Sequence, residues 1–167
     1  IGDTFEVDNV SVKEYTSADM DVTRATAATR VDENGLVNYA EIVGSELVTN
    51  GDFATDSDWI KETGWTISGG TSNRTNTGTF TALQQNILTS GKTYKVTFTI
   101  SAITSGEVYG IRLGSNYILK NKLTTGTYTG YGDANNTTLS IMGNPAFAGS
   151  ISNISVKEVT RDNVPRI

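Results

Sequence analysis

The side chains in this sequence that could do chemistry are aromatic rings, amides and carboxylates, because its 167 residues contain no Cys and no His. That removes thiol nucleophiles, disulfides, thiolate and imidazole metal sites, and every Ser-His or Cys-His catalytic pair. What remains is suited to recognition. Trp59, Trp65, Tyr109, Tyr117, Tyr128 and Tyr131 are the rings available for stacking. A pyranose presents an apolar C–H face that an exposed ring covers, while nearby amides and guanidinium groups bind its hydroxyls. Strand parity sets Arg112 opposite Ile111 and Leu113, and Arg112 is expected to line a concave face with Gln84, Asn86 and Tyr117. Trp59, beside the polar run Asp56-Ser57-Asp58, and Tyr131, between Gly130 and Gly132, complete the candidate glycan contacts. Trp65 and Tyr94 fall at core positions of alternating segments instead. The competing reading of the polar outward positions is simply the wet side of a sheet.

The carboxylates point away from catalysis. Glycoside hydrolysis needs only two of them, but Asp19, Asp21, Asp32, Glu33, Asp56, Asp58, Asp133 and Asp162 fall in turns or arms. Glu107 and Glu158 are the main acids left in strand-like stretches, and the chain is read as non-enzymatic. With 13 Lys+Arg against 18 Asp+Glu the net charge is −5 and no basic run exists, which disfavours nucleic acid and anionic membrane surfaces as partners. No apolar stretch approaches the length that spans a bilayer, so no membrane insertion is expected.

The elements that must position these residues are strands. The chain holds 26 Thr and 17 Gly against 2 Pro, a mixture that favours pleated strands and tight turns. The clearest segment is 93–101, where Tyr94, Val96, Phe98 and Ile100 share one face and Lys95, Thr97 and Thr99 the other. Similar alternation predicts strands near 47–53, 64–68, 80–87, 107–113, 117–120, 126–131, 137–142 and 150–159, and no segment has helical periodicity. The predicted fold class is all-β, an antiparallel β-sandwich of the jelly-roll kind with extended connector arms.

A repeat divides the chain. Residues 7–16, Val-Asp-Asn-Val-Ser-Val-Lys-Glu-Tyr-Thr, recur as residues 151–160, Ile-Ser-Asn-Ile-Ser-Val-Lys-Glu-Val-Thr, with six of ten positions identical. Residues 1–16 therefore read as the last strand of a preceding repeat, 17–45 as a connector arm with a β-hairpin around Asn34-Gly35, 46–160 as the sandwich, and 161–167 as a connector to a following module.

Two resemblances attach to these residues. Glu46-Leu47-Val48-Thr49-Asn50-Gly51-Asp52-Phe53, then Asp58-Trp59, Gly64-Trp65-Thr66-Ile67 and the closing Ile151-Ser152-Asn153-Ile154-Ser155-Val156 resemble the galactose-binding-like jelly-roll carbohydrate-binding modules. The arms, with Ala28-Thr29-Arg30-Val31 through Gly35-Leu36-Val37 and Asn163-Val164-Pro165-Arg166-Ile167, look like a paired motif of bacteriophage tail-fibre and other virion-appendage proteins. The first resemblance implies sugar binding without catalysis and a structural calcium ion near the first and last strands, for which Asp52 is the matching acid, although the terminal acidic position is Ser152. The second implies a virion-surface or other extracellular location, neighbouring modules of the same fibre as partners, and a homotrimer by analogy. The alternative is a module of a secreted polysaccharide-degrading enzyme or a bacterial surface adhesin.

Overall fold

The structure, a computed structural model, describes residues 29–31, 37–39 and 42–160. The repeat copy at 7–16, most of the connector and the arm at 161–167 lie outside the described residues. In the connector, β1 (Thr29–Val31) pairs antiparallel with β2 (Val37–Tyr39).

The remaining strands form two antiparallel sheets packed face to face, an all-β sandwich with no helix among the described residues. One sheet runs in the order β10 (Asn116–Ile118), β9 (Val108–Leu113), β12 (Thr138–Gly143), β7 (Thr81–Asn86), β4 (Ile60–Lys61). The other runs β11 (Gly126–Asp133), β8 (Thr93–Ser105), β13 (Ala148–Thr160), β6 (Thr71–Arg74), β5 (Trp65–Ser68), and β3 (Ile42–Glu46) pairs with the end of β13. The sheet thus reaches back into the segment that the sequence assigned to the connector.

Alternation builds the core. Tyr94, Val96, Phe98 and Ile100 of β8 are all buried, and they meet Leu83, Ile111, Leu113, Leu139 and Ile141 from the five-stranded sheet. In β13 the buried residues are Ile151, Ile154, Val156 and Val159, whose spacing breaks strict alternation. The register explains it: Ile151 faces Ile100 and Asn153 faces Thr99, so Ser152 is the extra residue of a β-bulge.

Residues 47–53, expected as a strand, form a clamped loop. Asn50 and Phe53 take positive φ of 53° and 56°, which no strand permits. Glu46 accepts hydrogen bonds from Val156 N (2.8 Å) and Ser155 Oγ (2.5 Å), and Gly51 O accepts from Ile154 N at 2.8 Å. A Cβ on Gly51 would collide with the Ile154 carbonyl, so the Asn-Gly pair is required by close approach to β13. From the other sheet, buried Gln85 donates to Thr49 O at 2.6 Å and accepts from Thr49 N at 3.3 Å.

β6 was not anticipated, because its inward residues are the polar Ser72 and Arg74. The Arg74 guanidinium lies between the sheets, 2% exposed, with no carboxylate among its partners in the described residues. Its Nε donates to Thr81 Oγ1 (2.9 Å), Nη1 to Phe147 O (2.6 Å), and Nη2 to Thr77 Oγ1 (3.0 Å) and Thr79 O (2.8 Å). The rings of Trp65 and Phe147 flank it at 5.9 and 5.8 Å. Burial pulls its pKa below the ordinary value, yet an arginine keeps its charge. Gly143 makes room, since a Cβ there would sit 2.7 Å from Arg74 Cδ.

Replacing Arg74 by Met should cost roughly 3 kcal/mol or more in urea unfolding, because buried carbonyls lose their donors. Gly143→Ala should be destabilising in the native background and clearly less so beside Arg74→Met, since the flexible methionine can yield. Additive losses in the double variant would contradict the contact.

Candidate functional site

The outer face of the five-stranded sheet gathers four of the six residues named from the sequence. In β7, Leu83 and Gln85 point inward, leaving Gln84 and Asn86 outside; in β12 Leu139 and Ile141 point inward, leaving Ser140 and Met142 on the other side of the strand, where both are buried. β9 turns Arg112 outward between the buried Ile111 and Leu113. Cross-strand pairing then aligns Tyr117, Arg112, Ser140, Gln84 and Ile60 as one row over all five strands. At about 4.8 Å per strand the row is about 19 Å long, enough for an extended run of sugar units.

One end of the row is aromatic and cationic. Tyr117 meets Tyr109 edge-on at 5.3 Å, and Tyr109 meets Phe80 edge-on at 4.9 Å. Tyr109 owes its place to a register shift: Met142 pairs with Gly110 and Gly143 with Val108, leaving Tyr109 as the extra residue. Gly110 lies beneath the Tyr117 ring, where a Cβ would press on Tyr117 Cδ1 at 3.3 Å. The Arg112 guanidinium stands 5.7 Å and the Lys120 ammonium 5.4 Å from the centre of the Tyr117 ring. Arg112 Nε donates to Gly114 O at 3.0 Å, which fixes the stem of the side chain.

The other end is amide and carboxylate. Gln84 Nε2 donates to Glu62 Oε1 at 3.4 Å, and Glu62 Oε2 accepts from Ala82 N at 2.7 Å. Asn86 Oδ1 accepts from Thr138 Oγ1 at 2.8 Å. Ile60 is 53% exposed and Phe80 52% exposed, so this face carries apolar surface as well.

At the centre lies Ser140, fully buried between Arg112 and Gln84, with its Oγ lacking a hydrogen-bond partner among the described residues. Buried hydroxyls are almost always paired. This one sits on the outward side of its strand, under the side chains that line the face.

The two remaining candidates are elsewhere. Trp59 is 7% exposed and packs on Phe53 at 5.5 Å, its Nε1 donating to Asn50 O at 3.0 Å, so its ring is part of the core. Asp58 at φ 67° turns the chain so that the indole enters while its polar neighbours stay out. Tyr131 lies on the outer face of the opposite sheet, facing Lys95 across β8, whose Nζ is 5.4 Å from the ring. Its flanking glycines serve packing: a Cβ at Gly130 would meet Leu119 at 2.7 Å and one at Gly132 would meet Ile118 at 2.6 Å. Trp65 and Tyr94 are buried, and Tyr128 is half-buried against Phe98. Asp52, the acid matched to calcium, is exposed and accepts from Ala54 N at 3.3 Å; among the described residues no three acidic side chains gather to hold a metal ion.

Phe80, Ser140, Lys120 and Glu62 were not legible as site residues. Each arrives through register or a loop path. No family model matches the chain, and no curated protein matches it in sequence.

Ser140→Ala should stabilise the protein by about 1 kcal/mol in urea unfolding, since it removes a buried hydroxyl without a partner. A loss of stability would mean that the hydroxyl is satisfied.

Proposed function

We propose that this chain is a non-catalytic module of a tail fibre or similar virion appendage, and that it binds host-surface glycan on the outer face of its five-stranded sheet. The observation that carries the binding reading is the row Tyr117, Arg112, Ser140, Gln84, Ile60, with Tyr109 and Phe80 extending its aromatic end. Rings and amides in one line suit a chain of sugars, whose faces are apolar and whose edges are hydroxyls. The two-sheet strand order and the clamped Asn50-Gly51 loop support the finer jelly-roll, carbohydrate-binding-module reading, and the arm motifs support the appendage.

The mechanism is multivalent. The face is an open sheet surface, so a single copy binds weakly, and copies along and around a fibre raise avidity through effective concentration. Neighbouring modules of the fibre and a trimeric assembly are the partners this requires.

The test is a glycan array probed with the full chain displayed as streptavidin tetramers. Retention of at least one glycan is expected, with Tyr117→Ala weakening it roughly tenfold and Tyr131→Ala leaving it unchanged. No retained glycan, or equal loss with both variants, would overturn the proposal.

A further inference from the structure

We infer that the glycan taken by this face is acidic, carrying carboxylate or sulfate groups that Arg112 and Lys120 receive. The inference rests on the glycan reading above and adds the substrate class.

The charge distribution is the first ground. The chain carries a net −5, yet Arg112 and Lys120 stand together on one ring without an ion pair among the described residues. Lys61 and Lys92, by contrast, are paired with Asp56 and Glu158. Arg112 uses only its Nε, on Gly114 O, so the two terminal amino groups that form the fork for a planar anion have no partner among the described residues. Each cation lies against the Tyr117 ring, an interaction that attracts it without neutralising its charge.

Ser140 is the second ground. Its buried Oγ has no acceptor and lies in the same row, next to Arg112. A ligand oxygen reaching in beside Arg112 would supply the acceptor that this hydroxyl lacks among the described residues.

The far end sets the polarity. Glu62 places a carboxylate beside Gln84, so an anionic group is repelled there and the neutral, hydroxyl-bearing part of the chain lies over Gln84 and Asn86. The acidic sugar therefore sits at the β9–β10 end. Because the whole chain is anionic, attraction must come from this local pair, and salt will weaken it.

Pairs of probes that differ only in charge test this directly: tetragalacturonate against its methyl ester, 3′-sialyllactose against lactose, and chondroitin sulfate against desulfated chondroitin. With the full chain displayed as tetramers, at least one acidic member should be retained about tenfold better than its neutral partner, and the preference should fall at 0.5 M salt. Lys120→Gln, at an exposed position, and Arg112→Gln should each cut that preference at least threefold. Equal or better binding of every neutral member would overturn the acidic class while leaving the glycan reading standing. An acid preference that survives both substitutions would overturn the site. Failure to retain glycans of either kind would overturn both readings together.

Discussion

A guanidinium without a carboxylate, enclosed between two sheets, sets the geometry of this protein. Arg74 belongs to the six-stranded sheet, but its hydrogen bonds reach Thr81 at the head of β7, Phe147 before β13, and Thr77 and Thr79 in the loop between β6 and β7. An ion buried among neutral acceptors tolerates little displacement, because each lost bond leaves a carbonyl or the cation itself unsolvated. The end of β12 must accommodate it too, which Gly143 does by presenting no side chain.

The consequences run outward to the candidate face. Thr79 O, held by Arg74, immediately precedes Phe80, whose ring meets Tyr109; Tyr109 in turn meets Tyr117, and Tyr117 carries Arg112 and Lys120. Thr81 and Gly143 are also cross-strand partners, so the same contact fixes the register of β7 against β12 and with it the alignment of Gln84 with Ser140. A core ion therefore positions a surface it never touches.

How far the sequence spoke for this arrangement depended on which side chains each strand buries. β8 was legible because its inward residues are all large and apolar, and parity alone set Arg112 on an outward position between Ile111 and Leu113. β6 was silent because it buries Ser72 and Arg74, inverting the usual polarity of a strand. Residues 47–53 alternate like a strand, yet the left-handed Asn50 and Phe53 and the close approach of Gly51 to β13 make them a loop. Trp59 looked exposed from its neighbours Asp56 and Asp58, but the indole fills the space beside Phe53. Ser140 reads as one more wet serine until the register sets it between Arg112 and Gln84.

The outer face of the five-stranded sheet, proposed above as the recognition surface, is polar at one end and cationic and aromatic at the other. The outer face of the opposite sheet, with Thr97 paired to Thr129 and Thr99 to Thr127, forms a hydroxyl ladder that satisfies itself. Backbone-amide chemical shifts recorded during titration of the full chain with each of the acidic sugars tetragalacturonate, 3′-sialyllactose and chondroitin sulfate separate the two faces most directly. Perturbations concentrated at Tyr109, Arg112, Tyr117 and Ser140, fading towards Gln84 and Asn86, are the result this account requires. Perturbations centred instead on Thr97, Thr129 and Tyr131, or none at saturating sugar, would contradict it.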